Sequence, residues 1–191
     1  MKKRIDRILL IGCLVIALMF AVTGCKGEDK AKVPENAESS EVQETSKNQV
    51  FGSFEAETLD GEMVTEDIFA RADLTMVNIW ATFCGPCLQE MPDLGELSRE
   101  YEGSGIAIVG VIGDVEEAGD ETAAEIVEKT QADYTHLVAS PGLRLGILNK
   151  ISAYPTTIFV NAEGEMVGDA YAGARSKEEW KAIIEELKEE V

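Results

Sequence analysis

Residues 74–87 read Leu-Thr-Met-Val-Asn-Ile-Trp-Ala-Thr-Phe-Cys-Gly-Pro-Cys. Leu74 to Trp80 is a β-rich apolar run suited to a buried strand. From Leu88 onward apolar residues recur at Met91, Leu94, Leu97 and Tyr101, the spacing of one helix face. Cys84 therefore falls in the turn from a strand into a helix, with Cys87 one turn in. A helix N-terminus carries unpaired N–H groups and partial positive charge, which lower a thiol's pKa and make the thiolate available. On this reading Cys84 is exposed and nucleophilic, and Cys87 is shielded. Pro86 restricts the first turn, and Pro92 is expected to bend the helix one to two turns later.

Working outward, Ile106 to Ile112 is a second buried strand. Asp120 to Gln131 reads as an amphipathic helix with Ala124, Ile126 and Val127 inward. His136 to Ala139 is a short strand, and Leu143 to Asn149 a helix leading into Ala153-Tyr154-Pro155-Thr156-Thr157. Thr156 to Asn161 and Met166 to Tyr171 form a hairpin across Ala162-Glu163-Gly164-Glu165. Ser176 and Glu179 have the spacing of a capping box that opens a last helix. Upstream, Phe54 to Leu59 and Glu62 to Val64 form a hairpin around Asp60-Gly61, followed by a short helix from Thr65 to Arg71. Strand–helix alternation between two hairpins implies an α/β sandwich with a mixed sheet.

The whole chain has 191 residues, with 36 Asp and Glu against 17 Lys and Arg and a formal charge of −19. That balance excludes a nucleic-acid binder, because phosphate backbones are gripped by clustered Lys and Arg. At 45% hydrophobic and 28% charged residues, the chain fits one ordinary domain plus extensions. Its single histidine, His136, excludes a multi-histidine metal centre.

The N-terminus has the pattern of a targeting signal. Lys2, Lys3, Arg4 and Arg7 precede an apolar run from Ile8 to Val22, 15 residues long, short of the roughly 20 needed for a membrane span. It ends in Val22-Thr23-Gly24-Cys25, which resembles the lipobox of bacterial lipoproteins. The expected organisation is a signal peptide at 1–24, a lipidated Cys25 with a tether to residue 49, and a domain at 50–191. An ordinary secretory signal or an uncleaved anchor is the alternative. Two or more acyl chains would hold the protein stably on a membrane. The tether, rich in Lys, Glu, Ser, Asn and Gln, buries too little apolar surface to order itself, and would span about 25–30 Å as a coil.

With Cys13 in the signal and Cys25 at the lipid site, only Cys84 and Cys87 remain in the folded domain. Exported domains stapled by disulfides show several pairs at longer spacing. A bond across two intervening residues closes almost no loop and stabilises little. The pair therefore points to chemistry rather than scaffolding.

Trp80-Ala81-Thr82-Phe83-Cys84-Gly85-Pro86-Cys87, followed by Glu90-Met91-Pro92, resembles the active site of thioredoxin-like proteins of the TlpA/ResA branch. Tyr154-Pro155-Thr156-Thr157-Ile158-Phe159-Val160 with Gly164 is similar to that branch's cis-proline strand and hairpin. The resemblance covers essentially all of Val50 to Val191. It implies a thioredoxin-like fold, with a mixed central sheet flanked by helices, an N-terminal hairpin and an inserted helix–strand segment around Asp114 to Ala139. It further implies an extracytoplasmic thiol–disulfide oxidoreductase, working as a reductase without a dissociable cofactor or a metal. Cys84 would attack a substrate disulfide and Cys87 would resolve the mixed disulfide, a membrane donor of the CcdA or DsbD type then re-reducing the pair. Disulfide-containing exported proteins, among them apocytochrome c and methionine sulfoxide reductases, are the implied partners. Trp80, Gly85, Pro86, Tyr154 and a cis Pro155 are the implied substrate-binding residues.

Three residues depart from the family pattern. Phe83 stands where Trp is usual, Tyr154 is larger than the usual residue before the proline, and Asn78 replaces the buried Asp of thioredoxins. An amide cannot accept the proton of the second cysteine. Glu90, three residues after Cys87 and so on roughly the same helix face, is the alternative acceptor, or else a solvated helix carboxylate.

Rival readings exist for these residues. A structural zinc would need four ligands, and with His136 the pair supplies three. A copper chaperone of the Sco type would use Cys84, Cys87 and His136, although its cysteines are spaced CxxxC. A peroxiredoxin would carry Pro-x-x-x-Thr-x-x-Cys, which does not occur at Cys84. A non-enzymatic lipoprotein could recruit a partner through its acidic face. The acidic residues Asp114, Glu116, Glu117, Asp120 and Glu121 lack the spacing and glycine of a calcium loop and read as solvated surface. His136 reads as a satisfied strand residue.

Overall fold

The computed structural model describes residues 49–191. The expectations for the signal segment, Cys25 and the tether up to residue 48 lie outside the described residues. Gln49, which composition places in the tether, already belongs to the fold: it bridges Glu165 and donates its side-chain amide to the Glu163 carbonyl at 3.0 Å.

Strand β1 (Glu55–Glu57) pairs antiparallel with β2 (Met63–Thr65), placing Ala56 opposite Val64. Strand β1 is shorter than the expected Phe54–Leu59 run; Thr58 still donates its N–H to the Glu62 carbonyl at 2.8 Å within the hairpin and also bridges Leu137. Gly61, at φ +86°, makes the left-handed step that closes the loop. A 3₁₀ helix (Glu66–Arg71) follows, capped by the Thr65 hydroxyl, which accepts the Asp67 N–H at 3.3 Å.

Next come β3 (Leu74–Trp80), α1 (Gly85–Glu100), β4 (Ile106–Ile112), α2 (Glu121–Thr130) and β5 (Thr135–Val138). Helix α1 continues through Pro92 to Glu100. In α2 Ile126 is buried and Val127 packs half-buried against the same core, as expected, whereas Ala124 is exposed and Ala123 is buried in its place. The Asp120 carboxylate caps the helix by accepting the Ala123 N–H at 2.8 Å. The helix expected over 143–149 is a short α3 (Pro141–Leu143) running into a π turn (Arg144–Leu148) that buries Ile147. Strands β6 (Thr156–Asn161) and β7 (Met166–Ala172) form the predicted hairpin. Helix α4 (Lys177–Leu187) opens with both hydrogen bonds of the Ser176–Glu179 capping box.

The main sheet runs β5-β4-β3-β6-β7, parallel on the β4 and β5 side of β3 and antiparallel on the β6 and β7 side. All seven residues of β3 are buried. Side chains alternate across a strand, so Leu74, Met76 and Trp80 enter the core beneath α1, α2 and α4. Val77 and Ile79 enter a second core with Phe54, Phe69, Leu143 and Ile147. Asn78 shares the parity of Met76 and Trp80 and so faces α1. The N-terminal hairpin covers the β5 edge, where Leu59 donates its N–H to the His136 carbonyl at 2.7 Å. Among the described residues, no helix is long and apolar enough to cross a membrane.

Candidate active site

Register places the site. Trp80 ends β3 opposite Ile112 of β4, and Ile79 lies opposite Thr156 of β6. The segments after β3, after β4 and before β6 therefore meet at one end of the sheet. These are Ala81–Cys84, Gly113–Asp114 and Tyr154–Pro155.

Cys84 caps α1 in extended conformation, and its sulfur accepts the Cys87 N–H at 3.2 Å. The two cysteines form a disulfide with a Cα–Cα distance of 5.3 Å. Cys84 keeps 6% of its surface exposed and Cys87 none. The order of exposure is the expected one, but Cys84 is more enclosed than a free surface thiol. Its side chain turns back over the first turn of the helix toward Cys87, leaving Gly85, Pro86 and Phe83 as the exposed rim.

The approach to Cys84 is pinned by Asp114. Its carboxylate accepts the Thr82 N–H at 3.0 and 3.2 Å and the Thr82 hydroxyl at 2.5 Å. Asp114 thus anchors a loop while remaining exposed, as expected of the acidic cluster. Two other members of that cluster are also engaged, Glu116 with Arg144 at 3.0 Å and Asp120 as the α2 cap.

The Tyr154–Pro155 peptide is cis. Pro155 is buried and Tyr154 half-buried, with its ring edge-on to Phe83 at 6.1 Å between centroids. The Tyr154 hydroxyl lies 2.1 Å from where a Cβ on residue 113 would stand, so only glycine fits at Gly113. Trp80, expected to contact substrate, is fully buried. Its strand parity turns it inward, and its indole N–H donates to His136 Nδ1 at 3.2 Å.

That bond defines His136. Its Nε2 lies 2.8 Å from the Ala132 carbonyl, which can only accept, so Nε2 carries the proton and Nδ1 receives Trp80. Gly110 makes room for the ring, since a Cβ there would sit 2.1 Å from Nδ1. Both ring nitrogens are committed, leaving no lone pair for a copper ion beside the cysteines. Among the described residues, no three His, Cys, Asp or Glu side chains are grouped to hold a metal.

Glu90 is no surface carboxylate. It lies on the buried face of α1 with Cys87 and Met91, and is 2% exposed. Its Oε1 accepts from Asn78 Nδ2 at 2.9 Å, and its Oε2 accepts from the Arg175 N–H at 3.1 Å and from Trp180 Nε1 at 3.3 Å. Asn78 Nδ2 also donates to the Thr157 hydroxyl at 3.1 Å. Burial pushes the Glu90 carboxyl above its ordinary value, against the opposing pull of the Arg175, Asn78 and Trp180 donors. The buried acid absent from β3 at Asn78 is therefore present on α1 at Glu90, with Asn78 as its donor. The sequence signal for this was Glu90 standing inside the stripe formed by Cys87, Met91 and Leu94.

A redox-active dithiol spacing at a helix start, a buried carboxylate on the same helix face and a cis-proline segment on a five-stranded mixed sheet define a thioredoxin-like thiol–disulfide oxidoreductase. Residues 48–168 match the AhpC/TSA family, and the chain belongs to it. The thiol–disulfide oxidoreductase ResA of Oceanobacillus iheyensis is 31% identical over 173 residues, covering 86% of this chain and 81% of that one. A thioredoxin-family thiol:disulfide interchange protein from Chlorobium tepidum superposes with a TM-score of 0.61 at 24% identity, over 71% of this chain and 93% of that chain. The pneumococcal exposed lipoprotein thioredoxin of Streptococcus pneumoniae superposes at 0.56 with 25% identity, over 72% and 98%. Within this family, Val77 and Ala81 occupy the positions where a peroxide-reducing cysteine motif would carry Pro and Thr.

The environment of His136 predicts a pH signature. Burial pushes its imidazole down to about 4 from an ordinary 6.5, with the Ala132 carbonyl pulling the other way. The folded state therefore resists a proton that the unfolded chain accepts. Stability is fully present above pH 6.5 and is lost as pH falls toward 4, by up to about 1.4 kcal/mol per pH unit. Denaturant unfolding of the wild type should show a loss of about 2–4 kcal/mol over that window that His136→Gln lacks. Parallel pH dependences in the two proteins would show that the ring is not held neutral.

Proposed function

We propose that this oxidoreductase reduces disulfides of exported proteins through Cys84 and Cys87. The observation that carries the reading is a disulfide set across the first turn of α1, with Cys84 at the helix cap and Cys87 one turn in. In the reduced enzyme the Cys84 thiolate, facing the Cys87 N–H and the helix start, attacks one sulfur of a substrate disulfide. A Cys84–substrate disulfide forms and the other substrate sulfur leaves as thiolate. Cys87 then gives up its proton and attacks the Cys84 sulfur. The second substrate sulfur leaves, and the Cys84–Cys87 disulfide holds the two electrons' worth of oxidation taken from the substrate.

Gly85, Pro86 and Tyr154 line the approach, and the backbone preceding Pro155 receives an extended substrate segment by strand addition. Phe83, 74% exposed, adds an apolar face to that approach. A membrane dithiol donor of the CcdA or DsbD type returns the pair to the reduced state. Apocytochrome c and methionine sulfoxide reductases fit as substrates of this chemistry.

Glu90 is the proton acceptor for Cys87. A shielded thiol needs a base nearby because burial disfavours its thiolate. Glu90 follows Cys87 by three residues on the same buried face, and no other carboxylate among the described residues is as fully buried.

The chain reaches its substrates from a lipid anchor at Cys25. The Val22-Thr23-Gly24-Cys25 pattern supports this, as does the likeness to an exposed lipoprotein thioredoxin. In the native host the protein should partition with membranes and Cys25→Ala should be released from them. Wild-type protein recovered soluble and unmodified would refute the anchor.

The cysteine roles are tested by trapping. Cys87→Ser should accumulate mixed disulfides with substrate proteins on non-reducing gels, and Cys84→Ser should not. Equal trapping by both would remove the assignment.

The Glu90 role is tested by the resolution step. Glu90→Gln should slow release of the mixed disulfide roughly 10²-fold at neutral pH, with partial recovery at higher pH as Cys87 ionises unaided. Unchanged rates from pH 6 to 9 would leave water as the acceptor.

A further inference from the structure

Glu90 takes its hydrogen bonds from three directions, and two of them come from a part of the chain that the cysteine chemistry does not otherwise use. The loop between β7 and α4 delivers the Arg175 N–H, and α4 delivers the Trp180 indole, both to Oε2. Neither group is positioned loosely. The Arg175 guanidinium lies 5.0 Å from the ring centres of both Tyr171 and Trp180, a double cation–π contact. Its Nη1 donates to the Gly173 carbonyl at 2.9 Å, while the Gly173 N–H donates to the Pro155 carbonyl at 2.9 Å. Trp180 is fully buried and is held by Tyr171, edge-on at 5.9 Å, and by Phe159 at 6.3 Å.

We infer that Arg175 and Trp180 are positioning residues that hold Glu90 as a carboxylate beneath the cysteine pair, so that the C-terminal layer of the fold governs the resolving step. The assignment rests on Glu90 as the acceptor for Cys87, as proposed above. A buried carboxylate is tolerated in its charged form only with donors at both oxygens and a compensating cation. Asn78 supplies the donor at Oε1. Trp180 and the Arg175 backbone supply those at Oε2, and the Arg175 guanidinium supplies the positive charge that favours the ionised form.

The groups facing Glu90 from the other elements do not substitute for these. Asn78 of β3 and Thr157 of β6 are neutral. The Tyr134 hydroxyl, ahead of β5, is kept protonated by burial and by the Glu90 charge. On α1 itself, Cys87 is the proton donor of the step, and Asp93 is committed to the Lys177 N–H at 3.0 Å.

The clamp is tested on the full chain in its disulfide-bonded state, by following the side-chain carboxyl carbon of Glu90 by NMR across pH. Trp180→Phe keeps the ring and loses the donor, and Arg175→Gln removes the cation. Each should raise the Glu90 midpoint by about one pH unit. A midpoint unmoved in both folded variants overturns the inference. In kinetics, each variant should resolve a mixed disulfide about tenfold more slowly than wild type below the wild-type midpoint. The rates should converge above pH 8, and the difference should vanish in a Glu90→Gln background. A shifted carbon titration together with a Glu90→Gln rate equal to wild type would uphold the clamp and reject the acceptor role alone.

Discussion

Strand β3 is hydrogen-bonded on both edges and covered on both faces, and this double enclosure governs what surrounds it. None of its polar atoms can turn to water. The Asn78 amide N–H donates to Thr157 on the next strand and to Glu90 on the helix above, while Asn78 Oδ1 and the Thr75 hydroxyl have no hydrogen-bond partner among the described residues. The Glu90 carboxyl, buried by its place on α1, takes its other donors from Arg175 and Trp180 at the far end of the chain. Glu90 thereby links the central strand and the cysteine-bearing helix to the last helix. The same strand ends in Trp80, so the segment carrying Cys84 leaves a fully anchored point rather than a mobile loop.

The fold was largely legible in the sequence because its decisive segments are local. The apolar run into Cys-Gly-Pro-Cys, the β6–β7 hairpin and the Ser176–Glu179 box each declare themselves within a few residues. The differences arise where phase or parity matters. Ala124 faces outward because Ala123, not Ala124, lies on the helix stripe that Ile126 and Val127 turn to the core. Trp80 is buried because side chains alternate along β3, which puts it with Met76 in the core beneath α1, and both faces of the strand are covered.

The site was legible in its cysteines, its proline and its glutamate position, but not in its support. That Arg175 and Trp180 converge on Glu90 depends on contacts some 85 and 90 residues apart in sequence, which no local pattern encodes. The anchoring of Thr82 by Asp114 likewise follows from the pairing of β3 with β4 rather than from the run of acidic residues that contains Asp114. Close-approach glycines were a readable trace of this hidden geometry. Gly110 and Gly113 each mark a place where another side chain, His136 or Tyr154, occupies the volume of a Cβ.

The placement of β6 also bears on how the chain acquires its structure. Leu74 of β3 is paired with Asn161, so the central strand cannot complete both of its edges until most of the chain is present. High contact order of this kind delays folding, since loop closure must precede the non-local contacts that reward it. A chain emerging end-first through a narrow channel would therefore complete both edges of its central strand only once its last hairpin arrives.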